Sequence, residues 1–337
     1  MTTLRRIAPA LTLLLIAPLV AEFLLGDFNI RQIGFIAVFI PVYGAGALLV
    51  REVTRRAHRG WPTMLLLALA YALVMEGFAN QTLFNPNYAG QRLLDYGWIS
   101  SLGTSLNWTV YVLTLHVVWS VGSSVALAEA LAGARWREPW LRRPGLIVTV
   151  ILTLIGIAFT ASFALRTFHF VASPAQFAGV AIVTVAAIVA AFRLFRRDRS
   201  AESASGTNRA PSVWLVLVAA LILASAFQRW FGYAPKHEIN AGLGLAVLLG
   251  LEIVAVVLFV TLARREGWGP VHVLAAATGA VLTYGWISIR RLVVAGGTSL
   301  GVPTTPIDVV GQVALLLAML AVSYVGWKRL SAVSCEL

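Results

Sequence analysis

Hydrophobic positions along this chain gather into long unbroken runs instead of alternating or recurring on one face. The runs are about 17 to 25 residues long, the length at which a helix crosses a bilayer. Ten spans are predicted, near residues 7–25, 33–50, 62–80, 108–132, 145–166, 177–194, 212–228, 241–263, 270–289 and 307–327. The fold class expected is all-α: a polytopic integral membrane bundle of about ten transmembrane helices. The polar breaks give the orientation. With a cytoplasmic N-terminus, 19 of the 26 Lys and Arg fall in inner segments, as the positive-inside rule requires. Both termini are therefore predicted cytoplasmic, in a multi-pass protein of the cell membrane.

Two connections stand apart from the others. Residues 193–211 are polar, rich in small residues and without apolar periodicity, which predicts a cytoplasmic linker. It separates an N-terminal membrane half of six spans (1–192) from a C-terminal half of four (212–337). The connection from Gln81 to Asn107 keeps Leu83, Phe84, Leu93, Leu94, Tyr96, Trp98 and Ile99, so it should lie on the protein or dip into it. A parallel internal repeat relates spans one to four with spans seven to ten. Trp61-Pro62 opens the third span and Trp268-Gly269-Pro270 the ninth, and the alignment sets Glu76 against Tyr284 and Gly77 against Gly285.

Composition agrees with a membrane bundle. The chain is 59% hydrophobic and 12% charged, about half the charge of a soluble domain. Its net charge of +12 comes from short basic clusters between spans and leaves no basic face for nucleic acid. The single cysteine, Cys335, excludes a disulfide framework. The first apolar run follows Arg5 and Arg6 but is longer than a signal-peptide core, so it reads as a retained first helix. There is no phosphate loop, no His-Glu-x-x-His and no spaced metal-ligand set, hence no metal site or cofactor is expected.

The candidate chemistry centres on Val74 to Asn87, where an apolar run ends in Glu76 and a dense set of amides. A carboxylate inside a hydrophobic segment is costly and marks a candidate site. Asn80 shares its helix face, and Gln81 follows. His116 lies in the outer half of span four, so Glu76 and His116 can approach as base and orienter; the bland alternative is an interhelical packing bond. Trp119 is a candidate cavity-lining residue, while Glu252 sits at the most costly depth, near the middle of span eight. Arg290 and Arg291 break the charge trend and are candidates for pairing with Glu76, Asp308 or an anionic headgroup. Glu22 and Glu129 lie near span ends, where snorkelling to water is cheap. Gly44 and Gly46, with Pro41, predict close packing or a kink in span two.

The order Glu76, His116, then His169 with Ser173 four residues on, resembles the CAAX-protease and bacteriocin-processing (CPBP, Abi) intramembrane glutamate proteases. The resemblance implies Glu76 as the water-activating base and His116 and His169 as helpers. Met75, Asn80, Val112 and Ser173 stand where that family has glutamate, arginine, phenylalanine and an amide or aspartate. Its active site opens to the cytoplasm, whereas this cluster falls on the outer side. Three functions follow as expectations. The first is a membrane-embedded enzyme, hydrolase-like or lipid- or isoprenoid-modifying, with a lipid, isoprenoid or membrane-peptide substrate. The others are a small-solute transporter or exporter of two parallel halves, and a non-catalytic scaffold or immunity-type protein.

Overall fold

The computed structural model describes residues 3–195 and 209–334. Most of the predicted linker, with Arg196, Arg197 and Arg199, lies outside the described residues, as does Cys335. Among the described residues ten helices are long and apolar enough to cross a membrane. They are α1 (Arg6–Leu24), α2 (Ile30–Arg56), α3 (Trp61–Ala79), α4 (Leu106–Arg135) and α5 (Arg143–Phe168). Then follow α6 (Pro174–Arg193), α7 (Val213–Lys236), α8 (Ala241–Ala263), α9 (Pro270–Ala295) and α10 (Pro306–Ala332). Every predicted run falls on one of them, and the only strands among the described residues are β1 (Trp98–Ile99) and β2 (Thr104–Ser105), an antiparallel pair.

The helices sort into core and periphery. In their most apolar 18-residue stretches α3 and α4 are two thirds buried (67% each), against 17% in α5 and α6 and 11% in α8. The peripheral helices expose large apolar side chains such as Ile147, Ile182 and Val256, the surface a hydrocarbon solvent accepts. The central helix is α4, against which α1, α3, α9 and α10 all pack. Helix α2 packs on α1 through Gly44, where an added Cβ would collide with the Leu14 carbonyl oxygen. Packing follows the four-span repeat only in part: α7 lies along α9, but the corresponding place beside α3 is taken by α6. The aligned pair does share a neighbour, since Glu76 and Tyr284 both turn onto α4, at His116 and Trp119.

The face carrying the α2–α3, α4–α5 and α8–α9 connections is here called the basic face. Helix α2 runs past its predicted end there because its charges are buried and paired rather than solvated. Arg51 donates to Glu129 at 3.0 Å, to Glu52 at 2.6 Å and to the Trp136 carbonyl at 2.8 Å. Arg55 grips both oxygens of Glu129, at 2.8 and 2.6 Å. Glu52 also accepts the Trp140 backbone N–H at 2.9 Å, and the Arg51 guanidinium lies 3.5 Å from the Trp140 ring centroid. Glu129 therefore does not snorkel. It is 3% exposed and accepts from two arginines, with Glu52 supplying the second negative charge.

At the opposite face the same helices are irregular. Widened π-helical segments occupy Leu19–Leu24 in α1, Ile40–Gly44 in α2, Val74–Ala79 in α3, Leu115–Ser123 in α4 and Arg291–Ala295 in α9. Proline starts two of them: Pro18 and Pro41 lack the N–H of a regular turn and push away the carbonyl one turn back. In α4 the carbonyls left by the wide turn are taken by hydroxyls, Ser123 on Val118 at 2.8 Å and Ser124 on Trp119 at 3.1 Å.

The long α3–α4 connection closes this end, as its apolar content predicts. Gln81, Thr82, Leu83, Phe84, Asn85 and Leu94 are buried. Its polar side chains bond to three other connections. Gln81 accepts the Ala172 N–H at 2.7 Å, Gln91 donates to the Ser299 carbonyl at 3.0 Å, and Tyr96 donates to the Ile239 carbonyl at 3.0 Å.

Candidate functional site

Four of the widened segments each deliver one polar side chain to a common buried cluster: Glu22, Tyr43, Glu76 and His116. π-helical turns recur at functional sites because the extra residue re-aims side chains that a regular helix would point elsewhere. The His116 Nε2 atom lies 2.8 Å from the Glu76 Oε1 atom. Asn80 donates to the same oxygen at 3.1 Å, and the Thr82 hydroxyl donates to the Glu76 Oε2 atom. Glu76 and His116 are 3% and 4% exposed. A second layer fixes these partners, with the Trp108 indole N–H on the Thr82 hydroxyl at 3.3 Å and the Tyr88 hydroxyl on Asn80 at 3.3 Å.

The other ring nitrogen of His116 is different. Nδ1 is buried with no hydrogen-bond partner among the described residues. A neutral imidazole whose Nε2–H points at a carboxylate carries its free lone pair on Nδ1, and both nitrogens become donors once it is protonated. The Tyr43 ring stacks on the imidazole, centroids 5.8 Å apart and planes 16° from parallel. Glu22, on the neighbouring α1 segment, is 8% exposed. From Tyr43 a chain of ring contacts runs through Phe39 and Phe28 to Phe35, itself 49% exposed. Phe39 also touches Phe23, a wall of an apolar groove of about 290 Å³ between α1, the start of α2, and α10.

Outside the spans, two titrating groups border the cluster. Burial pushes the Tyr88 hydroxyl well above its usual value, and the Glu76 and Glu22 carboxylates add to the shift. Asp27, in the α1–α2 turn, accepts from the Ser299 hydroxyl and pairs with Arg291 at 3.8 Å. Burial raises its carboxyl above the ordinary range, against the pull of Ser299 and Arg291.

The sequence-derived candidates divide. Glu76, His116 and Asn80 come together. His169 does not join them: it is exposed at the end of α5 in the left-handed conformation, its backbone N–H bonding to the Leu165 carbonyl. Ser173 caps α6 by accepting the Gln176 N–H. Gln81 ties down the connection instead of facing the cluster. Trp119 is 1% exposed, stacks on Tyr284 at 4.6 Å and donates to the Ala280 carbonyl at 2.8 Å. Glu252 is half-buried on α8 and accepts from the Thr114 hydroxyl of α4. Arg290 is exposed, Arg291 pairs with Asp27 rather than Glu76, and Asp308 takes Arg31 at 2.9 Å. Glu22, whose place near a span end predicts snorkelling, is buried, and Tyr43, which no sequence motif marks, stacks on His116. Pro18 and Pro41, four and two residues before them, were the available signals. No group of three or more His, Cys, Asp or Glu placed to hold a metal occurs among the described residues.

No curated protein and no solved structure matches the chain. One family model does, over residues 11–224, a stretch that contains Glu22, Tyr43, Glu76, Asn80, Thr82, Tyr88 and His116. It lends no support to the protease resemblance. Matched over more than half its length by that model, the chain belongs to an uncharacterized membrane protein family.

Proposed function

We propose that this protein is a membrane-embedded enzyme whose acid–base centre is His116, held and oriented by Glu76. The observation that carries the reading is the asymmetry of the imidazole: Nε2 is fixed on Glu76 while Nδ1 is buried and unpartnered. Both Glu76 oxygens already accept hydrogen bonds, which suits an orienting group better than the base that the sequence suggested. A carboxylate holding one imidazole nitrogen so that the other can take a proton from water or a substrate hydroxyl is a recurrent solution for nucleophile activation. Of the substrate classes expected from the sequence, a lipid or isoprenoid fits best. The ring contacts reach an exposed phenylalanine, and the neighbouring groove is walled by Leu19, Phe23, Ile33 and Leu315. The exposed His169 leaves the protease-like arrangement with two of its three elements. In this reading the basic face is cytoplasmic and the centre opens to the outer leaflet; an impermeant maleimide should label Gln91→Cys from outside in a Cys335→Ser background.

The test is conversion of lipid. Wild type, His116→Gln and Glu76→Gln are reconstituted into vesicles of a bacterial polar lipid extract, incubated, and compared by mass spectrometry. The wild type should generate a product that falls by about 10² to 10⁴ in rate in both variants, the usual weight of a general base. Equal conversion by all three would remove the reading. Glu252, a carboxylate near the middle of α8 that accepts from a threonine hydroxyl, favours a second reading as a proton-coupled transporter. Proton flux into vesicles that is indifferent to Glu252→Gln would count against it.

A further inference from the structure

We propose that the groove between α1, the start of α2, and α10 binds an anionic phospholipid of the phosphatidylglycerol type, with one acyl chain in the groove and the phosphate at Arg31. Such a site deepens the lipid reading given above and rests on it only for what becomes of the lipid once bound. The groove holds about 290 Å³, at the small end of ligand sites, and all eight residues of its wall are apolar. Its α10 side is made of Gly311, Ala314 and Ala318 with Leu315, a strip about 10 Å long at the rise of a helix. Ala314 and Ala318 are exposed, so the groove opens sideways to the hydrocarbon. A narrow apolar slot along a helix suits an alkyl chain.

One end of the groove is polar and rich in open donors. Ile30 of the wall is followed by Arg31, and Gly311 lies one turn after Asp308. Arg31 and Asp308 join the two helices there at 2.9 to 3.0 Å, and the guanidinium also donates to the Pro303 carbonyl at 2.9 Å. Those bonds use Nε and Nη2. The Nη1 atom has no partner among the described residues, on a side chain that is 44% exposed. Two more groups flank this contact. Asn29, whose Cα lies within about 7 Å of that of Arg31, is 2% exposed, and its Nδ2 donor has no partner among the described residues. Thr304, next to Pro303, carries a buried hydroxyl that is also unpartnered. A buried donor left unpaired is costly unless something outside the chain accepts from it. The nearby carboxylates, by contrast, are engaged. Asp308 takes Arg31 together with the N–H and the hydroxyl of Thr305, both at 2.8 Å, and Asp27 takes Ser299 and Arg291. Open donors without an open carboxylate fit phosphate oxygens and offer nothing to the ammonium of a choline or ethanolamine headgroup.

The test reads binding and not turnover. The full chain in detergent is titrated with phosphatidylglycerol and, separately, with phosphatidylcholine of the same acyl chains, and retained lipid is counted by native mass spectrometry. Wild type should retain one phosphatidylglycerol in preference to phosphatidylcholine. Ala314→Trp fills the groove from its exposed side and should abolish retention with little change in melting temperature. Arg31→Gln should weaken phosphatidylglycerol retention about fivefold and erase the preference over phosphatidylcholine. Equal retention of the two lipids by the wild type, or undiminished retention of phosphatidylglycerol in Ala314→Trp, overturns the proposal. Should Arg31→Gln fail to fold because Asp308 is left buried without its partner, the double variant Arg31→Gln, Asp308→Asn carries that measurement. Phosphatidylglycerol retained by a wild type that converts no lipid would remove the enzyme reading and leave this site standing. Conversion without such retention would do the reverse.

Discussion

The two ends of the same helices hold charge in opposite ways. Toward the basic face, α2 and α4 are regular, and the buried charges of Arg51, Glu52, Arg55 and Glu129 are engaged by partners of opposite sign or by backbone groups. Toward the opposite face the helices widen, the charges of the cluster are set among amides, hydroxyls and rings, and one imidazole nitrogen of the cluster has no partner. Saturated pairing makes a joint: removing one member leaves an uncompensated charge in low dielectric. Incomplete pairing, held rigidly in place, makes a group able to exchange a proton. Burial alone does not distinguish joint from site, since Glu129 and Glu76 are equally buried at 3%. What distinguishes them is whether any valence is left over.

Four measurements would break or sharpen this contrast. The largest effect is expected at the joint. Glu129→Ala strands Arg51 and Arg55 and should cost about 3–5 kcal/mol, read as a large drop in melting temperature in detergent. Replacing Arg51, Arg55 and Glu129 together with apolar residues should recover much of that loss. Next comes Glu76. Glu76→Ala should cost about 1–3 kcal/mol through the unpaired groups it leaves, whereas Glu76→Gln should melt close to the wild type. If Glu76→Gln unfolds as readily as Glu129→Ala, the outer cluster is a second joint and not a site.

The third effect concerns pH. Because burial raises the Asp27 carboxyl, the folded chain binds that proton more tightly than the unfolded chain does. The stability contributed by Asp27 is then complete below the ordinary carboxylate range and is lost as pH rises through its raised value. Melting temperature between pH about 4 and neutrality should decline less in Asp27→Asn; an identical slope would show that Asp27 does not titrate there. The smallest effect is expected at His169. His169→Ala, at an exposed helix end, should change stability by less than about 0.5 kcal/mol and leave lipid conversion intact. A strong loss of conversion would revive the three-part protease-like arrangement.

The bilayer-spanning runs were legible because hydrocarbon length is a simple ruler, and the Glu76–His116 contact because consecutive antiparallel spans bring equal depths together. Two kinds of information were hidden. The charges of Arg51 and Arg55 marked the end of an apolar run, and nothing in a linear sequence said that α4 would bring Glu129 to the same place. Glu22 and Tyr43 were hidden by a change of helical period, since regular geometry counts faces at 3.6 residues per turn and a widened turn shifts every later residue. The order of His116 and His169 resembled a motif, yet order along a chain says nothing of a left-handed residue that turns one of them outward.

The widened turns also set a rule about length. A π-helical turn is one residue more than a regular turn needs. Deleting a single position from 40–44 would let α2 close into a regular helix with the residues beyond it still in phase, whereas deleting one from the regular stretch 45–50 would turn everything beyond it by about 100°. In the first case Arg51, Glu52 and Arg55 should stay with Glu129 while Tyr43 is re-aimed; in the second the joint should come apart although none of its residues had been touched. The surplus residue that aims Tyr43 at His116 is therefore a local device, and its loss should cost the outer cluster and spare the joint at the other end of α2.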